Sequence, residues 1–541
     1  MISWKEDYDC CSWDGVTCNL VIGHVIGLDF SCSWLSGNIP SNITLFLPPQ
    51  LKRLNLAHND FNLSQISSDF GQLTSLTHLN LSASNFSGQI PSEISHLSKL
   101  VSLDLSWNYN YPKNKNNSLL IERVVLERLP QNLAVLTDLA LDNVDMSAIV
   151  PSSLTNLSLS LTSLGLSRCQ LQGNVPESIF RLPNLKILRL CGNFNLTGNF
   201  SKVNWSSPLK LLDVSDMSLS EQLLDSISNL FSLRELYLRN CTLAGSVPAS
   251  LGNLTQLAYL SLSYNNLIGE FPDVFVNLRQ LSCLELSSNQ LTGPMPSGLN
   301  GSIPSSIFEI VNLTNLDLSS NNLSRIVELH LFSKLKNLQS LDLSHNSLSI
   351  NTTFKANSSF PQFQWLYLSG CNLSEFPIML RTLNQLQYLD LSDNKISGQI
   401  PNWMGDVGMD TLSFLNLSHN NLTGIDQLPW KNLEVLDLRF NLLHGPIPIP
   451  PPFLTILLLS NNKLTGEIPD MICNMSTIGI LDLSSNSLSG KIPTCMGNFS
   501  NLRVLDLQKN KLYGTIPGKF AKGSPLKTLN INENELEGPI P

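Results

Sequence analysis

The sequence predicts an α/β solenoid, mostly β and irregular. Its short coils would wind as a right-handed superhelix, with a concave parallel β-sheet and a 3-10 or irregular convex side. Three observations predict it. Ile478–Asn501 (IGILDLSSNSLSGKIPTCMGNFSN) and the stretch from Leu502 (LRVLDLQKNKLYGTIPGKFAKGSP) superpose as LxxLxLxxNxLxGxIP with a variable tail. The template recurs along almost the whole chain, at about 24 residues. Within LxxLxL the pattern alternates, which puts Leu481 and Leu483 toward a core and Asp482 and Ser484 toward solvent, as in a half-buried strand. One coil cannot bury its leucines alone, but a stack of coils can.

Each part of the template has a physical role. Asn486 offers an amide to the backbone where the chain turns inward. Leu488 and Ile492 return to the interior, and Gly490 and Pro493 mark bends. In order along the chain, residues 1–23 form an incomplete N-terminal cap, in which Trp13 covers the first coil and Cys11 and Cys18 are close enough for a short bridge. A solenoid of about twenty leucine-rich-repeat coils then occupies residues 24–541. It is irregular at 106–135, where a polar insertion (Asn108–Lys115) precedes a helical-looking stretch ending near Pro130. It is irregular again at 297–312, where two convex halves follow in tandem with no strand between them, as if one coil had been lost. The coils at Leu412 and Leu433 are short and rich in proline (Pro446, Pro448, Pro450, Pro451, Pro452), which predicts a local change of curvature. The last coil stops at Pro541 in mid-repeat, and both ends read as truncated.

Composition excludes several classes. Charged residues make up 14% and the net charge is −9, without a long Lys/Arg run, so no nucleic-acid partner is expected. The segment Met1–Asp7 has no apolar core of the kind a signal peptide needs, and the apolar run Ile447–Leu459 is too short to span a bilayer. The histidines are scattered over different coils, and Cys10, Cys11 and Cys18 have no second cluster, so no metal site is expected. The glycines belong to turns and not to a phosphate loop, and no cofactor is expected. Asp317 and Asp342 share one outward strand position on neighbouring coils, as do Asp482 and Asp506, a spacing like that of a retaining glycosidase pair. Asp104, Asp390 and Asp437 fill the same slot, which makes the aspartate part of the repeat consensus, and no catalytic residue is assigned.

Cys169, Cys241 and Cys371 stand where the template has Asn, and are read as buried thiols. Cys473 and Cys495 fall on adjacent coils at nearly the same tail position, where a bridge can form. Cys10 is expected to have lost its partner with a missing N-terminus, Cys32 being the alternative. Asn-x-Ser/Thr sequons at Asn42, Asn62, Asn85, Asn116, Asn156, Asn253, Asn312, Asn322, Asn351, Asn421, Asn474 and Asn498 are candidate N-glycosylation sites. Asn80 and Asn416 sit on strands, where a glycan would mask the sheet face. Outward strand positions that break the Ser/Asp/Asn consensus are the candidate ligand contacts: Tyr237 and Arg239 with Tyr259 and Tyr264 form one patch, and Trp365, Tyr367 and Tyr388 a second. Exposed Tyr, Trp and Arg are enriched at binding hot spots, although aromatics are also ordinary strand residues.

The opening motif Cys10-Cys11-Ser12-Trp13-Asp14-Gly15-Val16-Thr17-Cys18 and the LxGxIP element resemble plant extracellular leucine-rich-repeat proteins. Within that group, the run from Cys473 through Gly490-Lys491-Ile492-Pro493-Thr494-Cys495, Leu512–Pro517 and Phe520–Gly523 to Glu535–Pro541 resembles receptor-like proteins of the Cf and Eix types. The resemblance implies a secreted, glycosylated ectodomain at the plasma membrane, on a single membrane helix with a short tail. It also supports the Cys473–Cys495 bridge. Such proteins perceive pathogen or endogenous cues as peptide, protein or glycan ligands on the concave or lateral face, and signal through partner receptor kinases. This chain departs from the pattern in lacking a signal peptide, a non-repeat island and a membrane helix. A secreted inhibitor of cell-wall-degrading enzymes and the ectodomain of a receptor kinase are the alternatives.

Overall fold

The computed structural model describes residues 8–39, 45, 48–108, 118–198, 205, 207–220, 223–293, 305–351, 360–408, 410–425, 428–518 and 525–539. The chain forms two compact units, Met1–Leu267 and Ile268–Pro541.

In the first unit Asp9 caps the 3-10 helix Cys10–Ser12 by accepting the Cys11 N–H at 3.0 Å. The strand Val16–Cys18 then pairs antiparallel with Val25–Asp29, and Val25–Asp29 pairs parallel with Arg53–Asn55. From there three-residue strands pair parallel, each with the next coil's, through Glu235–Tyr237 to Tyr259–Ser261. The middle residue of each coil's strand is a leucine in register with the leucine of the next, and Leu164, Leu188, Leu212, Leu236 and Leu260 are completely buried. Burial on both sides by identical neighbours is what selects the register, because a one-residue slip would turn every leucine outward.

Two expectations for residues 106–135 change. Asn108 is not part of the polar insertion: it is 1% exposed, and its amide donates to the Leu81 and Leu105 carbonyls at 2.8 and 3.0 Å. Residues 109–117 lie outside the described ones. The helix spans Arg123–Asn132 and passes through Pro130. Pro130 removes the N–H that would bond the Leu126 carbonyl. Buried Leu129 still receives the Leu133 N–H at 2.8 Å, which closes the final turn.

In the second unit parallel strands run from Cys283–Glu285 to Thr528–Asn530. Cys283–Glu285 pairs directly with Asn315–Asp317, so the strands that precede and follow this stretch in the sequence are neighbours in the sheet. Of the irregular stretch 297–312, residues 297–304 lie outside the described ones, and the 3-10 helix Ser305–Glu309 follows them. Register continues through the short proline-rich coils, with Val435 opposite both Phe414 and Ile456. There Trp430 is 1% exposed and donates its indole N–H to the Val407 carbonyl at 3.0 Å. The expected alternation ends one residue early. Leu481 and Leu483 are fully buried and Asp482 is half-buried, but Ser484 is only 5% exposed. The strand stops at Asp482, and Ser484 folds back so that its N–H and O–H donate to Asp482 Oδ1 at 3.0 and 2.6 Å.

The template Asn forms a ladder inside each unit. Asn394 Nδ2 donates to the carbonyls of Leu368, Leu391 and Ser392, and its Oδ1 accepts the N–H groups of Cys371 and Leu373. Cys169, Cys241 and Cys371 occupy this ladder as buried thiols, donating to the carbonyls of Leu141, Val214 and Leu343 at 3.2, 3.1 and 3.4 Å. A thiol supplies no amide oxygen, and the N–H groups of Met146 and Leu219 bond instead to the main-chain carbonyls of Cys169 and Cys241. Cys11 is joined to Cys18 and Cys473 to Cys495, with Cα separations of 5.5 and 5.7 Å. Cys10 and Cys32 are both unbridged. No helix among the described residues is long and apolar enough to cross a membrane.

Candidate ligand-binding surface

The strand pattern of half-buried, buried, half-buried leaves two outward side chains per coil. In the first unit the expected patch separates into two pairs. Tyr237 stands opposite Ser261 and Tyr259 opposite Glu235, yet the tyrosine rings lean diagonally until their centroids are 4.5 Å apart. The Tyr237 hydroxyl donates to Glu235 Oε2 at 3.1 Å. Arg239 and Tyr264 are not on strands: both follow them, and Tyr264 has φ +58°. They meet across neighbouring coils, with the Arg239 guanidinium carbon 4.0 Å from the centre of the Tyr264 ring. Tyr264 is 49% exposed, so this cation–π pair is open to solvent.

In the second unit Trp365 stands directly opposite Tyr388, while Tyr367 lies opposite Asp342 on one side and Asp390 on the other. Burial, with Asp342 next in importance, pushes the Tyr367 phenol up to about 12. The patch extends beyond the expected residues. Phe414 is opposite Tyr388, their rings stacked at 5.7 Å, and Val435, Ile456, Ile480 and Val504 continue the same row in register. Each is half-buried. Lining up the first outward position of successive templates would have found them; reading coils one at a time did not. At the equivalent position the first unit mixes Arg53, His78, Ser102, Asp138, Ser163 and Glu235 with Ile187, Leu211 and Tyr259, so the repeat itself does not demand an unbroken apolar row.

Two residues further along the strands lie the aspartates. Asp317 faces Asp342 and Asp482 faces Asp506, both in register. Burial above all, with Asp317 and Asp390 adding to it, pushes the Asp342 carboxyl up to about 6, and burial with Asp482 raises Asp506. The Oδ1 atoms of Asp317, Asp342 and Asp482 accept the N–H of the serine two residues on, at 3.0, 2.9 and 3.0 Å, which ties that oxygen to the strand end. Asp437 is 6% exposed and held by Arg439, whose guanidinium reaches Asp437 Oδ2 at 2.7 Å. A cavity of about 310 Å³ beside the 3-10 helix Asn402–Asp406, lined by Ile400, Met404, Pro429 and Trp430, touches none of these residues.

Of the sequons, Asn62, Asn156, Asn253, Asn312, Asn322, Asn421, Asn474 and Asn498 are exposed, and Asn85 and Asn351 are half-buried. Asn312 gives its amide to the Arg279 carbonyl at 2.8 Å, and Asn85 gives its own to Asp60 Oδ1 at 2.7 Å. Asn42 and Asn116 lie outside the described residues. Asn416 is within the aspartate row and donates to Asp390 Oδ2 at 3.0 Å. In the cap, the sulfurs of Cys10, Cys11 and Cys18 cluster within 4.8 Å, but two of the three are bonded to each other.

The family model described as "Leucine-rich repeat region" matches residues 201–424, "Leucine rich repeat" matches 452–512, and "Leucine rich repeat N-terminal domain" matches 1–19. The chain is 37% identical to Receptor-like protein 6 of Arabidopsis thaliana, over 89% of this chain and 55% of that protein. It is 38% identical to Receptor-like protein Cf-9 of Solanum pimpinellifolium, over 43% and 26%. It thus spans about half the length of Receptor-like protein 6. Among solved structures it is similar to the Arabidopsis receptor kinase HAESA in complex with the peptide hormone IDA and the co-receptor SERK1, with TM-score 0.62, 29% identity, and coverage of 99% of this chain and 83% of that one. The PEPR1–AtPEP1 structure aligns with TM-score 0.59, 28% identity, and coverage of 98% and 78%.

Proposed function

The chain belongs to the leucine-rich-repeat receptor-like proteins, and from that premise we propose that it is the ligand-recognition part of a cell-surface receptor. Residues 1–23 would cap the solenoid and residues 24–541 would present the ligand surface. The observation that carries the reading is the aromatic side chains at outward sheet positions: Tyr237, in the slot that Asp or Asn fills on other coils, and Tyr259, Trp365, Tyr388 and Phe414, at the first outward position, which the template leaves open. Such side chains supply large contact area at low entropic cost, and the core does not need them.

HAESA is solved with a peptide hormone and a co-receptor. By that likeness a peptide or protein ligand, pathogen-derived or endogenous, is the expected occupant, and partner receptor kinases the expected route of signalling. The outside of the plasma membrane is the expected location, with exposed sequons such as Asn62, Asn253 and Asn474 carrying glycans. Binding, and not catalysis, is the proposed role of the sheet face.

The test is display selection of peptides on the secreted protein, followed by affinity measurement on Tyr237→Ala/Tyr259→Ala and Trp365→Ala/Tyr388→Ala. Loss of affinity by tenfold or more in one double variant is expected. No selected ligand, together with inhibition of a cell-wall hydrolase, would replace this reading with the inhibitor alternative.

A further inference from the structure

The second unit carries two parallel rows that the repeat does not require together. One is apolar, Trp365, Tyr388, Phe414, Val435, Ile456, Ile480 and Val504, each residue at the first outward position of its strand. The other lies two residues further along the strands and is mainly acidic: Asp342, Asp390, Asp437, Asp482 and Asp506, with Tyr367, Asn416 and Leu458 interspersed. Side chains two apart on a strand point to the same face about 6.8 Å from each other, and neighbouring strands are about 4.8 Å apart. The apolar row crosses six strand spacings and is therefore about 29 Å long, which an extended chain of about nine residues covers.

The charges select the occupant. Phosphate-bearing ligands are repelled by the acidic row, and so is this face of a second copy of a chain whose net charge is −9. Asp437 already shows the complementary contact, since Arg439 lies on it with three guanidinium–carboxylate distances of 2.7–3.1 Å. Asp390, Asp482 and Asp506 form no direct ion pair among the described residues, Asp482 acting on Arg439 only at longer range. Burial, with repulsion from Asp482, holds the Asp506 carboxyl above the usual range, a cost that an arriving cation offsets.

We propose that this face binds an extended peptide of about nine residues, its apolar side chains on the Trp365–Val504 row and its Lys or Arg side chains against Asp390, Asp482 and Asp506. The proposal rests on the reading of the chain as a recognition module and names the ligand chemistry for that role.

The test uses the full chain, secreted and purified, and labelled nine-residue peptides followed by fluorescence anisotropy. The probe alternates leucine and lysine; one control replaces lysine by glutamate and another replaces leucine by serine. Binding of the leucine–lysine peptide alone is expected. Asp390→Asn with Asp482→Asn should weaken it tenfold or more, and so should Ile456→Thr with Ile480→Thr, which keeps β-branched strand residues at outward positions. Binding that survives the isoleucine variants would be charge attraction alone and would overturn the proposal, as would equal binding of the glutamate peptide or none at all. A glycan found at Asn416 by mass spectrometry would cover the middle of the surface and also overturn it. A peptide selected at random whose binding depends on Tyr237 and Tyr259 but not on the row would sink this proposal and leave the recognition role standing. Failure to select any peptide would remove both.

Discussion

Asp342 stands in register with Asp317 on the neighbouring strand, and its half-buried carboxyl is pushed up to about 6. Burial is the main cause and the facing carboxylate adds to it. The pair has the spacing of an acid–base dyad, but Ser344 donates its N–H to Asp342 Oδ1 at 2.9 Å, which makes the residue a strand-end cap whose own charge is disfavoured.

The sign of the consequence follows from linkage. A carboxyl with a folded value near 6 and an unfolded value of 3.8 binds its proton more tightly when folded. Its protonated form favours folding below about pH 4, and that advantage is lost as pH rises through 6. Asp342→Asn keeps an acceptor for Ser344 and removes the charge. It should raise the melting temperature at pH 7.5, through a gain in stability of at most about 3 kcal/mol, and the gain should vanish by pH 4. An unchanged difference across that range would show that the carboxylate is not the cause.

Asn394→Ala should open its part of the ladder. It strands the buried N–H groups of Cys371 and Leu373, at a cost of roughly 2–6 kcal/mol for two such groups. Asn394→Cys should cost less, because the thiol can donate as Cys371 does to the Leu343 carbonyl. Hydrogen exchange at Cys371 and Leu373 reads this directly, with amides several coils away in the same unit unaffected, since coils couple mainly to their neighbours.

Cys473→Ser should lower stability by about 3 kcal/mol, the chain-entropy value for a loop of this size. The bridge closes a sequence separation of 22 residues across adjacent coils. Faster proteolysis near 473–495 without change near Cys11–Cys18 is the expected signature.

Two glycines in one coil should respond oppositely. Gly490 has φ +80°, and a Cβ there would lie 2.7 Å from Glu467 Cγ, so Gly490→Ala should destabilise by about 1–2 kcal/mol. At Gly479 a Cβ would meet only the Thr455 and Asn501 carbonyl oxygens at 3.4 and 3.7 Å, and Gly479→Ala should be neutral or slightly stabilising. Denaturant midpoints of the two variants decide the matter.

The core-facing positions of the repeat were legible in the chain before it folded, whereas the point at which each strand ends, and so the burial of Ser484, was not. The alternation at Leu481 and Leu483, the turn amide of Asn486 and the thiols in its slot at Cys169, Cys241 and Cys371 all follow from short-range spacing, because one template places each side chain relative to its own strand. How side chains on different coils meet was settled only by the stacking of those coils. Coil-to-coil register carries Tyr388 onto Phe414, and the free rotation of long side chains lets Tyr237 lean to Tyr259 although Ser261 is its partner in the sheet. The apolar row and the aspartates beside it become a surface only after coils about twenty residues apart are stacked, since proximity across strands is set by backbone hydrogen bonds and burial and not by any spacing within one coil.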